Sequence, residues 1–591
     1  MDRHGKNKRD FSGSDRLLLL SVFALAIGVL SSVGAWVLLA GIRFFTNLFF
    51  FQTISLAASS PADNHLGAWV IAVPALGGLI VGLMARFGSD KIRGHGIPEA
   101  LEAILFGKSK MSAKVAVLKP LSSGIVIGSG GPFGAEGPII MTGGAAASLL
   151  AQAFHLTSAE RKALLVAGAC AGMTAVFGTP LAAVLLAVEL LLFELRPRSL
   201  LPVALACAVA GFLRPLWAEA GPLFPLDTPP PSTIALLSCI AAGLASGALS
   251  AAMTYALYLI EDGFTKLPLH WMWWPALGGL AVGLGGWLQP RALGVGYEVI
   301  GDLLANHLVL SAAIALLAVK ALIWAIALGS GTSGGVLAPL LMIGAGLGCV
   351  LGHWLPGGDP RLWALVCMAA TLGGTMRAPM MAIVFAFGLT HDANAFLPLL
   401  LGCAVAYGFT VIVMPRSILT EKIARRGKHV YREYGVDALE RHVVDEVMTH
   451  DVRAVPADTP LSVVRDRYFG NGQTQRAYPV VADGKLVAML DRAQLSLIAA
   501  NASDDTPIAS LLSASPPVYA LPTENCRAVA SRIAALELER LPVVTDAVSL
   551  TLIGIVSRSD LLKPIGQLHE EESRRERAWG RRREAVPRES A

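Results

Sequence analysis

The chain has 591 residues, of which 54% are hydrophobic and only 15% charged, and its formal net charge is +5. A water-soluble protein of this length carries about 25% charged residues, so a wholly soluble chain is excluded, and the small basic excess makes nucleic-acid binding unnecessary. The composition is that of a protein with many membrane-spanning helices.

Leu17 to Ile42 is an apolar run longer than the core of a signal peptide, and it predicts a retained membrane helix. Lys6, Lys8, Arg9 and Arg16 accompany its start; by the positive-inside bias, residues 1–16 lie in the cytoplasm. Apolar segments rich in Gly and Ala continue to about Val413, a composition that suits close helix packing in lipid. Lys422, Arg425, Arg426 and Lys428 then mark a second cytoplasmic flank, so the C-terminus faces the same side. Short loops and compact length suggest a bacterial inner membrane. Cys170, Cys207, Cys239, Cys349, Cys367 and Cys403 stand singly within apolar segments, which predicts small core residues and no metal site.

The apolar region is internally duplicated. "PALGGLIVGL" at Pro74 returns as "PALGGLAVGL" at Pro275, an offset of 201 residues; "GSG" at Gly128 returns at Gly329, and Pro138 corresponds to Pro339, both at that offset. "TPLAAVLLA" from Thr179 resembles "APMMAIVFA" from Ala378. The repeats cover about 17–217 and 233–426. In transporters such repeats place a ligand between broken helices whose positive N-terminal ends face an anion. "GHGIPEAL" at Gly94, "GAEGPIIM" at Gly134 and "GGVLAPLL" at Gly334 all set glycines before a proline that opens an apolar run, the signature of helix starts with open backbone N–H groups.

These motifs, in this order, resemble the CLC family of chloride channels and chloride/proton exchangers, and the resemblance spans almost the whole chain. "GHGIP" is similar to the family's GSGIP, "GAEGP" to GREGP and "GGVLAP" to GxFxP, and Lys119 falls where a family lysine is expected. The implied fold is a multi-pass α-helical membrane protein of two inverted halves over residues 17–426, assembled as a homodimer in which each subunit has its own pore. The implied anion contacts are Gly94, His95, Gly96, Ile97 and Pro98, then Gly134 and Gly137, then Gly335, Val336 and Leu337. The resemblance makes Glu136 the gating glutamate: a carboxylate that imitates the permeant anion and swings aside when protonated or displaced. An ionised acid in hydrocarbon costs roughly 2.5–3.5 kcal/mol, so it is tolerable only among converging N–H groups. Departures from the family pattern remove both hydroxyl contacts and so weaken the anion site: His95 replaces a serine and Leu419 stands where the family has a tyrosine; Leu337 replaces a phenylalanine but keeps its backbone N–H, and Ala135 replaces an arginine whose side chain need not touch the ion.

In the family's exchangers an internal acid relays protons one position after a shared glutamate. Glu189 matches the shared residue and Leu190 occupies the relay position, while Glu194 lies about 140° further round a continuous helix. This favours a voltage- or pH-gated chloride channel. The chloride/proton antiporter is the alternative, because water can carry protons to Glu136 without a titratable relay.

From His442 the chain becomes charged, and "AYPVVADGKLVAMLDRAQL" from Ala477 recurs loosely from Arg540. The two units resemble CBS domains, at 444–499 and 506–563, each an α/β module. Ser557 and Asp560 match the hydroxyl and aspartate with which some CBS pairs hold adenine nucleotides; the first unit has Asp491 and Gln494 instead. A purely structural pair is equally compatible with the sequence, and no cofactor is required for transport. Residues 564–591 mix acids and arginines without an apolar face and predict a disordered tail or fraying helix. A CBS-tailed magnesium transporter is disfavoured because cation sites need clustered oxygen ligands, and an enzyme because no nucleophile and base pair up.

Overall fold

The computed structural model describes residues 16–430, 438–473, 475–500, 502–512 and 517–573. They form two compact units, one running to Tyr434 and one over Gly435–Ser573. Residues 1–15, which carry most of the predicted N-terminal basic flank, and 574–591 lie outside the described residues.

The first unit is helical. Its first half runs α1 (Arg16–Phe51), α2 (Ala72–Phe87), α3 (Ile97–Leu105), α4 (Ala113–Gly128), α5 (Glu136–Gln152), α6 (Ser158–Phe177), α7 (Pro180–Leu186) and α8 (Pro197–Leu213). Its second half runs α9 (Ala235–Thr265), α10 (Trp274–Leu288), α11 (Tyr297–Leu304), α12 (Leu310–Gly329), α13 (Leu337–Leu351), α14 (Pro360–Met376), α15 (Pro379–Thr390) and α16 (Phe396–Val413). A short α17 (Ile418–Ala424) follows. Each helix of the first half has a counterpart in the second, and packing repeats with order: α5 lies on α6 as α13 lies on α14, and α1 lies on α8 as α9 lies on α16.

Local chemistry sets the breaks. A capping box opens α6, with Glu160 N–H donating to Thr157 Oγ1 (3.1 Å) and Thr157 N–H to Glu160 Oε2 (2.8 Å). Gly178, at φ 71°, ends it. After α7 the helix widens into a π turn over Ala187–Leu192 and stops at Phe193, whose φ is 54°. Among the described residues, six helical stretches are long and apolar enough to cross a bilayer. The buried α5 and α13, of 17 and 15 residues, reach only about 25 and 22 Å at 1.5 Å per residue. A hydrocarbon core is about 30 Å thick, so these helices start inside it.

The halves interlock where α2 crosses α10. A Cβ on Gly78 would come within 2.6 Å of the Pro275 carbonyl carbon, and one on Gly279 within 2.6 Å of the Pro74 carbonyl carbon. The duplicated "PALGG" motif is therefore the contact surface between the two copies of itself, and only glycine permits that approach.

The second unit holds a three-stranded sheet, β1 (Val455–Pro456), β2 (Ala477–Ala482) and β3 (Lys485–Asp491), and a two-stranded sheet, β4 (Arg540–Val544) and β5 (Leu552–Ser557). The two units expected at 444–499 and 506–563 interlock in space, because they exchange their leading segments. Thr449 pairs with Ile555 of β5 and Val444 joins the core of Leu541, Val543 and Val556. Ile508 instead joins the core of Val455, Val480 and Leu490, its N–H donating to Thr459 O (2.9 Å). The expected tail is also corrected in part: residues 564–573 continue a helix over Arg558–Ser573.

Substituting Gly279 by Val should push α2 and α10 apart and lower stability by about 1–3 kcal/mol, the usual cost of overpacking, with Gly78→Val behaving alike. Thermal unfolding of the detergent-solubilised protein measures this, and a wild-type midpoint for both would contradict the crossing.

Candidate functional site

The starts of α3, α5 and α13 meet at one place. Gly134 and Gly335 exchange backbone hydrogen bonds as an antiparallel pair, N–H to O at 3.4 and 3.0 Å, and Gly94 bridges to Ser333. A Cβ on Gly137 would strike the His95 carbonyl, and one on Gly96, which sits at φ 90°, would lie 2.8 Å from the Gly137 carbonyl. The three glycine-flanked motifs, far apart in sequence, thus share one packed junction.

That junction uses some of the amides expected to face an anion. Gly94 N–H donates to Thr332 O (3.1 Å), Gly96 N–H to Glu99 Oε2 (3.0 Å), and those of Gly134 and Gly335 to each other. Pro98 has no N–H to offer. Of the residues predicted to contact an anion, Gly94, Gly96, Pro98, Gly134 and Gly335 offer no open N–H here and build the junction's frame. The amides of His95, Ile97, Gly137, Val336 and Leu337 donate to no acceptor among the described residues, as first-turn donors of helices do. His95 is buried, and neither of its ring nitrogens has a hydrogen-bond partner among the described residues.

Glu136 is the first residue of α5 and is fully buried. Its carboxylate folds back into the junction: a Cβ on Gly335 would lie 2.8 Å from Oε2. The peptide N–H groups of Glu136 and of Ala338, at the start of α13, face it. The Tyr297 hydroxyl, at the start of α11, donates to Oε1 at 3.5 Å.

Two buried lysines hold the loops that lead into this region. Lys119 Nζ donates to Ile92 O (2.8 Å), Gly94 O (2.7 Å) and Ser333 Oγ (3.0 Å). Lys320 Nζ does the same for Ala292 O (2.9 Å) and Gly294 O (2.8 Å). Lys320 and Tyr297 were missed by motif reading, although the repeat points to both: offsets of 201 from Lys119 and 200 from Ile97 land on them.

Below α3 lies a cavity of about 640 Å³, lined by seven Lys and Arg against four Asp and Glu. Within it Glu99 pairs with Arg426 (2.9 Å) and faces Lys422 (3.9 Å), while Glu102 pairs with Arg426 and Lys428 (2.6 Å each). The surplus positive charge suits an approaching anion. Leu419 is buried in α17, and the nearby Tyr258 hydroxyl is engaged by Ile418 O (2.6 Å).

Glu189 accepts from the N–H groups of Met380 (3.2 Å) and Met381 (2.7 Å), capping α15 of the other half, and Leu190 is buried. The helical angle assigned to Glu194 is corrected, because the chain leaves the helix at Phe193. Glu194 instead accepts from Ser199 Oγ (2.6 Å).

A family model described as voltage gated chloride channel matches residues 77–411, and a CBS domain model matches 444–497 and 508–566. The chain belongs to the CLC family. This CLC protein is 32% identical over 381 residues to the "Voltage-gated ClC-type chloride channel ClcB" of Citrobacter koseri, covering 62% of this chain and 88% of that one. It is 29% identical over 364 residues to the "Putative chloride channel protein ClcB-like" of Ralstonia nicotianae, covering 60% and 85%. Solved structures with the same fold include a slow cyanobacterial Cl⁻/H⁺ antiporter (TM-score 0.60, 22% identity, 70% of this chain and 99% of that one). A eukaryotic CLC transporter also matches (TM-score 0.61, 19% identity, 92% and 98%).

In the second unit, Ser557 Oγ donates to Asp560 Oδ2 (2.6 Å), and Lys563 Nζ binds Oδ1 (2.7 Å) while donating to Val447 O (2.8 Å). Asp491 is likewise committed, accepting from Gln494 N–H (2.7 Å) to cap its own helix. Burial would push the Asp560 carboxyl up, but the Lys563 ammonium and the Ser557 donors outweigh it and hold the group below its ordinary value. Its stabilising contribution is therefore complete above the unfolded value of about 3.9 and is lost as pH falls through the lower folded value. Asp560→Asn should weaken this unit by about 1 kcal/mol at neutral pH, allowing for the half-exposed Lys563, and flatten its loss in acid. Hydrogen exchange of β5 amides in the full chain measures both; an unchanged acid profile contradicts the assignment.

Proposed function

We propose that this CLC protein carries chloride, or a similar small anion, across a lipid bilayer as a homodimer with one pathway per subunit, gated by Glu136. The observation that carries this reading is the Glu136 carboxylate lodged where three helix starts meet. A carboxylate held by peptide N–H groups occupies a position with the same electrostatic demand as a halide. The free amides of His95, Ile97, Gly137, Val336 and Leu337 and the unpartnered His95 ring supply donors once the carboxylate leaves, and the basic cavity below α3 supplies anions. The Lys and Arg flanks support an inner-membrane placement with both termini in the cytoplasm.

Passive conduction with a pH- or voltage-dependent gate is the favoured form. Leu190 cannot carry a proton, and Glu189 is tied to the start of α15. Proton-coupled exchange is the second reading, supported by the cavity's reach to Met141 on the same helix as Glu136. Magnesium transport lacks a ligand set, since Glu99 is committed to Arg426 and Glu136 sits among N–H groups. For the CBS pair we infer a structural role: Asp560 already caps its own helix through Ser557 and pairs with Lys563, which bridges to Val447 O.

Glu136→Ala should leave anion flux in proteoliposomes intact but remove its pH dependence; abolished flux in a correctly folded variant contradicts the gate. Reversal potentials under a proton gradient at fixed chloride separate the two forms. A channel gives no shift with pH, and a shift establishes exchange.

A further inference from the structure

The pseudo-symmetry between the halves is broken at two positions that face each other. Glu136 of the first repeat corresponds to Leu337 of the second, at the offset of 201, and Ile97 corresponds to Tyr297, at the offset of 200. One symmetry-related pairing is therefore leucine with isoleucine, wholly apolar. The other is Glu136 with Tyr297, an acid answered by a hydroxyl from the opposite half.

Tyr297 is the one side chain that hydrogen-bonds Glu136 among the described residues, its hydroxyl donating to Oε1 at 3.5 Å. Its ring is fixed from two sides, edge-on to Phe177 at 6.1 Å and tilted against Phe224 at 6.4 Å. Phe177 is in turn braced edge-on by Phe385 at 5.0 Å. Gly296, at φ 78°, turns the chain immediately before it. A hydroxyl on a clamped ring loses little freedom in making a bond, and a contact longer than an ordinary O–H···O bond restrains the carboxylate without locking it.

We propose that Tyr297 is a positioning residue that latches the Glu136 carboxylate in the junction of the helix starts, so that an anion must displace both the carboxylate and its hydroxyl bond to pass. Tyr297 acts through the gate and does not stand in for the tyrosine missing at Leu419, which lies on a different element, α17. The proposal rests on the reading of Glu136 as a competitor for the anion.

Because the latch favours only the occupied-by-carboxylate state, removing it changes the concentration at which anions compete and leaves the open pathway alone. Tyr297→Phe keeps the ring and deletes the hydroxyl. Chloride flux by the full chain in proteoliposomes, measured against chloride concentration, should reach half-maximum at a concentration lower by about three- to tenfold, the weight of one such bond to a charged acceptor at this length. Maximal flux should change less than twofold. In a Glu136→Ala background the same substitution should move neither quantity. Wild-type half-saturation in Tyr297→Phe overturns the latch, as does an equal shift in the Glu136→Ala background, which would mean that the hydroxyl acts on the pore itself. If Glu136→Ala alone keeps the wild-type half-saturation and pH dependence, the gate reading has failed, and the latch falls with it.

Discussion

A charged side chain inside a membrane protein must be met by polarity that was already there. At Glu136 that polarity is mostly peptide: where three helix starts meet, the N–H groups of Glu136 and Ala338, from the first turns of α5 and α13, face a carboxylate that hydrocarbon would reject. Everything else in the first unit keeps those turns together. The Gly134 and Gly335 exchange joins α5 to α13, Gly94 ties α3 to the loop before α13, and the glycines allow peptide planes to approach where any side chain would hold them apart.

Duplication explains how a chain reaches such an arrangement. Two copies of one helical half, facing each other through the "PALGG" crossing of α2 and α10, bring equivalent helix starts toward a common centre. Lys119 and Lys320 show the symmetry in detail, each satisfying two carbonyls of the loop that precedes a short helix. Function enters where the copies differ. Ile97 against Tyr297 and Leu337 against Glu136 turn a symmetric scaffold into a site with one acid, one hydroxyl and a direction.

Charge is arranged on a second scale around the same junction. Glu99 accepts from the Gly96 amide through one carboxylate oxygen and pairs with Arg426, so α17 and the residues after it are fastened to α3, the helix that follows His95. The cavity beside that contact holds more base than acid, which raises the local concentration of anions before any of them reaches an amide. The two hydroxyl side chains of the family pattern are absent at positions 95 and 419, where a buried imidazole and a buried leucine stand instead.

Much of this was legible in the sequence, because it is written in local chemistry. Apolar length marked the spans, Gly and Pro marked the helix starts, a fixed offset marked the repeat, and one acid in a glycine-rich turn marked the carboxylate buried at the junction. Those signals depend on near neighbours and on the cost of burying charge, which hold in any fold. Tertiary structure alone decided which amides stay free, since Gly94, Gly134 and Gly335 lose theirs to partners far away in the chain. It alone set Tyr297 beside Glu136, ended the helix before Glu194 through a π turn, and exchanged the leading segments of the CBS modules. Apart from the π turn, each is a pairing between distant residues, whose free energy depends on geometry in space and leaves no periodicity in the sequence to be read.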